Sequence, residues 1–134
     1  MQWDTTQYAG FSTASPWLPV NDNYQTVNVA TEEKDTGSAL NYFRKMTQLR
    51  NENPVLVYGD YKILQQEHPT VYAYTRTLGE AKMLVVLNFS EDESSIELPA
   101  FGQVQKTEIN NYPNATVEGN TIQLKPYQAV IFSM

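Results

Sequence analysis

Three kinds of side chain in this 134-residue chain have the right type for chemistry. The first is a single imidazole, His68, which stands before Pro69 in the polar stretch "QQEHPT". General acid–base work needs an imidazole within reach of an acid and a hydroxyl. No such constellation flanks His68, so it reads as a turn residue. The second is the run Glu91, Asp92 and Glu93 in "SEDESS", which offers oxygens to a hard cation. Calcium loops alternate ligands with spacer residues; three consecutive acids do not, so the run reads as a solvated turn and no metal site is expected. The third is the set of scattered carboxylates, 15 in all. Glycoside hydrolysis needs two carboxylates at a defined separation, one as acid and one as nucleophile or base. Nothing in the spacing singles out such a pair.

Composition removes further classes. There is no cysteine, which excludes disulfides, thiolate nucleophiles and cysteine-ligated zinc. The net charge is −6 and the pI about 4.6. That balance lacks the clustered Lys and Arg that neutralise a phosphate backbone, so nucleic acid is not expected as a partner. No apolar run approaches the roughly 18 residues that span a bilayer, which reads as a soluble chain with no membrane partner. "NFS" at Asn88 and "NAT" at Asn114 match the glycosylation acceptor pattern, but Asn88 closes an apolar run and neither is read as a glycan site.

The elements that would position these residues fall into two textures. Residues 1–35 mix aromatics with Asn, Thr, Pro and Gly and show no useful periodicity, which predicts a long ordered loop or a disordered arm. Trp3, Phe11, Trp17 and Tyr24 there read as packing anchors. "TGSALNYFRKMTQLRNENP" is the clearest helix: Leu40, Phe43, Met46, Thr47, Leu49 and Arg50 fall near one face, Thr36 or Ser38 can cap it, and Pro54 stops it.

From Gly59 onward, strands separated by turn residues every eight to twelve positions or so predict an antiparallel sandwich or barrel. The candidates are "DYKILQQ", "TVYAYTRT", "AKMLVVLNFS", "SIEL", "VQKTEIN", "TIQL" and "YQAVIFSM". "KMLVVLNF" is apolar on both faces and should be central. "TLGEA" and "VEGNT" each carry a Gly suited to positive φ and read as hairpin turns. Pro126 should precede the last strand and stay out of its ladder.

The blocks "MQWD", "AGF", "PWLPVNDNY" and "VNVA", the helix "ALNYFRKMTQLRNENPVLVYGDY", and "HPTVYAYTR", "MLVVLNFS" and "LKPYQAVIF" follow one another along the whole chain. In that order they resemble the tail of the α-glucosidase and oligo-1,6-glucosidase branch of glycoside hydrolase family 13. The resemblance implies a mainly β fold. It would be an antiparallel Greek-key β-sandwich, the C-terminal domain of an α-amylase-type enzyme, preceded by a loop and one α-helix of a TIM-type barrel. The implied division is residues 1–58 for the end of the barrel and 59–134 for the β-domain. In the family "MQWD" follows an arginine and a proline that this chain does not have, so Met1 matches an internal methionine and the chain reads as a fragment.

By the same resemblance the nucleophilic aspartate, the acid/base glutamate and the transition-state-stabilising aspartate belong to earlier barrel strands. No catalytic residue is therefore expected here, and no cofactor. Gln2, Trp3 and Asp4 match a motif near the substrate rim, in a supporting role. The implied partners are the catalytic barrel of the same polypeptide and, through it, an oligosaccharide substrate; the implied location is cytoplasmic. A different class of reading is a free-standing carbohydrate-binding β-sandwich, with Tyr72, Tyr74 or Trp17 stacked on sugar rings.

Overall fold

The computed structural model describes residues 2–98 and 103–134. The chain divides into two compact units, residues 1–47 and 48–134, and each is described by itself.

The first unit corrects the expectation that residues 1–35 carry no elements. They fold as single helical turns: 3-10 turns at Gln7–Gly10 and Asp22–Gln25, then α1 at Val29–Glu32. Four-residue turns leave no periodicity to read, and side-chain caps specify them instead. Asn28, buried at the head of α1, accepts from the Thr31 amide at 2.9 Å and donates to the Tyr24 carbonyl at 2.8 Å. The long helix α2 runs over Ala39–Glu52. Ser38 caps it, its hydroxyl accepting from the Asn41 amide at 3.2 Å. Asn41 ties the first turn back by donating to the carbonyls of Glu32 and Asp35, both at 2.8 Å. No residue of α2 is buried; Phe43 on its predicted apolar face is 62% exposed. Of the aromatic anchors, Trp3, Phe11 and Trp17 are 52%, 50% and 90% exposed within this chain, and Tyr24 is half-buried.

The second unit is a two-sheet antiparallel β-sandwich. Pro54 opens a further helix where a stop was expected: α2 ends at Glu52, and α3 spans Pro54–Tyr58 with the proline in its first turn, where a missing N–H costs nothing. Strands β1 (Asp60–Leu64), β2 (Val71–Leu78), β3 (Ala81–Asn88), β4 (Ser94–Glu97), β5 (Lys106–Asn110), β6 (Thr116–Glu118), β7 (Thr121–Leu124) and β8 (Ala129–Ser133) follow. They form a five-stranded sheet, β1-β2-β3-β8-β5, and a three-stranded sheet, β4-β7-β6. β8 returns from the small sheet through the short connection 125–128 to lie between β3 and β5, in a Greek-key arrangement. The sequence reading missed β6, whose three residues are all exposed.

β3 sits at the centre of the larger sheet, as its two apolar faces require: Met83, Leu84, Val85 and Val86 are all buried. Leu84 and Val86 face the core between the sheets, together with Phe132 and Val130 of β8 and Ile96, Ile122 and Leu124 of the small sheet. On the opposite face, Met83 and Ile131 pack against Leu49 and against Val55 and Leu56 of α3. Gly79 and Gly119 take φ of +59° and +60° in the two predicted hairpins. Pro126 and Tyr127 turn the chain before β8, with Tyr127 at φ +52°. No helix among the described residues is long and apolar enough to cross a membrane.

Candidate functional site

Gln2, Trp3 and Asp4 lie together in one tightly bonded loop. The Trp3 amide donates to the Ala9 carbonyl at 2.9 Å, and the carbonyls of Gln2 and Trp3 accept from the amides of Val29 and Ala30 at 3.0 and 2.9 Å. The Gln2 side-chain amide donates to Asn23 Oδ1 at 3.1 Å and to the Val27 carbonyl. Asp4 Oδ1 accepts from the Thr6 amide at 2.9 Å and from the Thr6 hydroxyl. Those two bonds, the hydroxyl's more than the amide's, hold the Asp4 carboxyl below the usual Asp range.

The loop closes through three successive left-handed residues. Tyr8, Ala9 and Gly10 have φ of 60°, 53° and 70°. Only the third is a glycine, and non-glycine residues in this region cost of order 1–3 kcal/mol each unless the surroundings over-determine them. Here they do: Ala9 is fully buried, its amide donates to the Thr6 carbonyl at 2.9 Å, and the Phe11 amide donates to the Tyr8 carbonyl at 3.1 Å. Gly10 suits its place on two counts, its positive φ and the crowding beside it, where a Cβ would lie 3.0 Å from Asp4 Oδ2 and 3.1 Å from Trp3 Cβ and push those side chains by a few tenths of an ångström. The sequence carried one trace of this, the "AG" pair after Tyr8, and the strain itself was invisible.

The other sequence candidates resolve into structural roles. His68 Nδ1 accepts from the amides of Val71 at 2.9 Å and Thr70 at 3.3 Å, which leaves Nε2 to donate to the Ser95 carbonyl at 3.2 Å. The ring thereby joins the start of β2 to β4, one strand of each sheet. Glu91, Asp92 and Glu93 are exposed, and no group of three potential ligands gathers among the described residues. Asn88 is buried and donates to the carbonyls of Asp92 at 2.8 Å and Lys125 at 3.0 Å, so it is closed to a glycan.

The tyrosines cluster on the outer side of β1 and β2. Tyr61 and Tyr74 rings lie 5.2 Å apart at 42°, Tyr72 and Tyr74 rings 5.5 Å apart at 51°. The Tyr61 and Tyr72 hydroxyls share a hydrogen bond of 2.7 Å, which raises the Tyr61 phenol above its ordinary value; burial does the same for Tyr74. The rings are tilted against one another with two hydroxyls tied, and Tyr61 and Tyr72 remain 48% and 39% exposed.

Two family models match in succession along the chain. The α-amylase catalytic domain matches residues 1–59, which hold the Gln2–Asp4 loop and α2. The C-terminal domain of the α-amylase SusG matches residues 71–131, which run from the start of β2 into β8. The chain belongs to the α-amylase family of glycoside hydrolases. Among curated relatives, an oligo-1,6-glucosidase of Bacillus cereus is 38% identical over the whole chain. A trehalose-6-phosphate hydrolase of Bacillus subtilis is 30% identical, also over the whole chain. An isomaltulose synthase of Klebsiella sp. LX3 superimposes with a TM-score of 0.89 at 41% identity over 98% of the chain, and a trehalulose synthase variant with 0.91 at 36% over 99%. In each of these four the chain spans 24% of the relative's length. The sandwich, its Greek-key return and the helix ahead of it are thus those of the C-terminal part of α-amylase-family enzymes.

Proposed function

We propose that this chain is the C-terminal part of a retaining α-glucosidase acting on short α-1,6- or α-1,4-linked glucosides. The observation that carries the reading is the succession of the two matches, catalytic domain over residues 1–59 and C-terminal domain over residues 71–131. The oligo-1,6-glucosidase relatives supply the substrate class.

Hydrolysis would proceed by two carboxylates through a covalent glycosyl intermediate, and both would stand in barrel strands ahead of residue 1. Residues 1–58 complete the barrel, and residues 59–134 form a domain that stabilises it. Gln2, Trp3 and Asp4 support the substrate rim, positioned by the Ala9 and Thr6 bonds. The barrel of the same polypeptide is the partner of the exposed face of α2. Two-carboxylate hydrolysis needs no cofactor, and the proposed location is the cytoplasm.

The test is the reading frame upstream of residue 1 in the encoding DNA. The proposal expects an in-frame barrel carrying an aspartate nucleophile, a glutamate acid/base and a second aspartate at the ends of successive strands. An upstream frame encoding an unrelated domain would overturn it.

A further inference from the structure

β4 is an outer strand of the small sheet, paired with β7 on one side only. The Leu98 amide donates to the Asn120 carbonyl at 2.7 Å, so the backbone groups of Leu98 and Ile96 point toward β7. In an antiparallel ladder those of Ser95 and Glu97 then point the other way. Such a row of outward groups is a template on which a further strand can pair. Here its carbonyls are taken by side chains of the β1–β2 loop. The Gln65 side-chain amide donates to the Glu97 carbonyl, and His68 Nε2 donates to the Ser95 carbonyl at 3.2 Å. Thr70 Oγ1 and Ser94 Oγ share a hydrogen bond of 2.9 Å. Residues 65, 68 and 70 thus meet 97, 95 and 94, in the reversed order of an antiparallel strand.

The loop is shaped for this contact. Gln65 takes a φ of 45°, a left-handed conformation in which glycine is free of strain and glutamine is not. The bond to Glu97 is what a glycine would not supply. The His68 amide donates to the Gln65 carbonyl at 2.8 Å, and its Nδ1 accepts from the Thr70 and Val71 amides, so the imidazole is held at both nitrogens. All of these groups lie within the unit 48–134 and bond to one another, so the contact does not depend on what covers the outer surface of the chain.

We propose that the β1–β2 loop guards the β4 edge, with Gln65 and His68 occupying the carbonyls on which a second copy of this chain would otherwise pair, β4 against β4. That pairing is self-complementary, because two antiparallel edge strands exchange the same donors and acceptors about a two-fold axis. The guard stands on the bonds of the sandwich and is independent of the α-glucosidase reading.

The experiment compares the 134-residue chain with its Gln65→Gly/His68→Asn variant by sedimentation equilibrium. Asparagine at 68 keeps an acceptor for the Thr70 and Val71 amides but ends one bond before the position of Nε2, and glycine at 65 suits the left-handed backbone. The loop is thereby kept and the edge uncovered. The variant is expected to self-associate about tenfold more tightly than the unsubstituted chain, with hydrogen exchange at the Ser95 and Glu97 amides slowing as concentration rises. Both chains carry the same α2 face, so the difference between them reports β4. Adding Ser95→Pro, which removes an outward donor and leaves the β7 ladder intact, should return the association to that of the unsubstituted chain. Equal association of the two chains would overturn the guard. Association that survives Ser95→Pro, or that leaves exchange at Ser95 and Glu97 unchanged, would overturn the choice of edge. Where the double variant melts below the unsubstituted chain, Gln65→Gly alone carries the same contrast, with a severalfold tightening expected and none overturning the guard.

Discussion

Gly59, between α3 and β1, is where the account can be tested by two opposing effects of known sign. Its φ of −63° and ψ of 152° suit any residue, so Gly59→Ala carries no conformational penalty. By narrowing the unfolded ensemble it would stabilise by about 0.4–1 kcal/mol. Packing opposes this. An added Cβ would lie 2.5 Å from the Val55 carbonyl oxygen and 3.0 Å from both the amide nitrogen and the carbonyl oxygen of Thr77. All three atoms are backbone, so no side chain can swing away. An ordinary carbon–oxygen approach is roughly 3.3 Å or more, so the end of α3 or the edge of β2 must move by about 0.8 Å. Both are pinned, α3 by the burial of Val55 and Leu56 and β2 by its ladders to β1 and β3. Overpacking of this kind costs about 1–3 kcal/mol; a 2.5 Å clash with backbone belongs in the upper part of that range, about 2–3 kcal/mol, so the net loss is about 1–2.5 kcal/mol. For a unit of this size that lowers the thermal midpoint by roughly 4–20 °C. Thermal unfolding followed by circular dichroism reads it directly. A Gly59→Ala chain melting at or above the unsubstituted one would refute the reasoning.

Val85 in β3 is 5% exposed, so Val85→Asp places an unpaired charge among apolar neighbours and should cost several kcal/mol, whereas Asp92→Ser in the exposed turn should be near neutral; equal shifts in the two midpoints would contradict the burial of β3. Acid should destabilise the chain through Asp4, held down by Thr6, Glu33, held down by Arg44, and Glu108, held down by Lys106. Lowered carboxyl values mean that this stabilisation is complete above the ordinary values of 3.8 and 4.5 and is lost as pH falls through the lowered ones. The midpoint should therefore fall between pH 5 and about pH 2, and a midpoint that rises over that range would contradict the assignment.

Long, periodic elements were legible in the sequence. The alternation in β2, the doubly apolar β3 and the glycines at 79 and 119 each impose one physical solution, and each is where it was expected. What escaped was specified by something other than hydrophobic pattern. β6 is three exposed residues held only by pairing with β7, and the turns of residues 1–35 are set by single caps such as Asn21 and Asn28. Pro54 signals a helix start as readily as a stop, and only the neighbouring Asn53, which donates to the Leu49 carbonyl at 2.7 Å, marks the join. At the candidate site, resemblance pointed to Gln2, Trp3 and Asp4. It did not point to Tyr8–Gly10 or Phe11, because a left-handed run depends on bonds from Trp3 and Thr6 that close through space.

The central claim is that this chain carries no glycosidase machinery of its own and serves a barrel that does. The most direct measurement is release of nitrophenol from an aryl α-glucoside by the purified 134-residue chain. The account predicts no turnover above the uncatalysed rate, since in the proposed reading both carboxylates of the reaction stand in the barrel and not in this chain. Turnover that tracks the purified chain and disappears when one of its own carboxylates, Asp4 first among them, is replaced by the amide would contradict it.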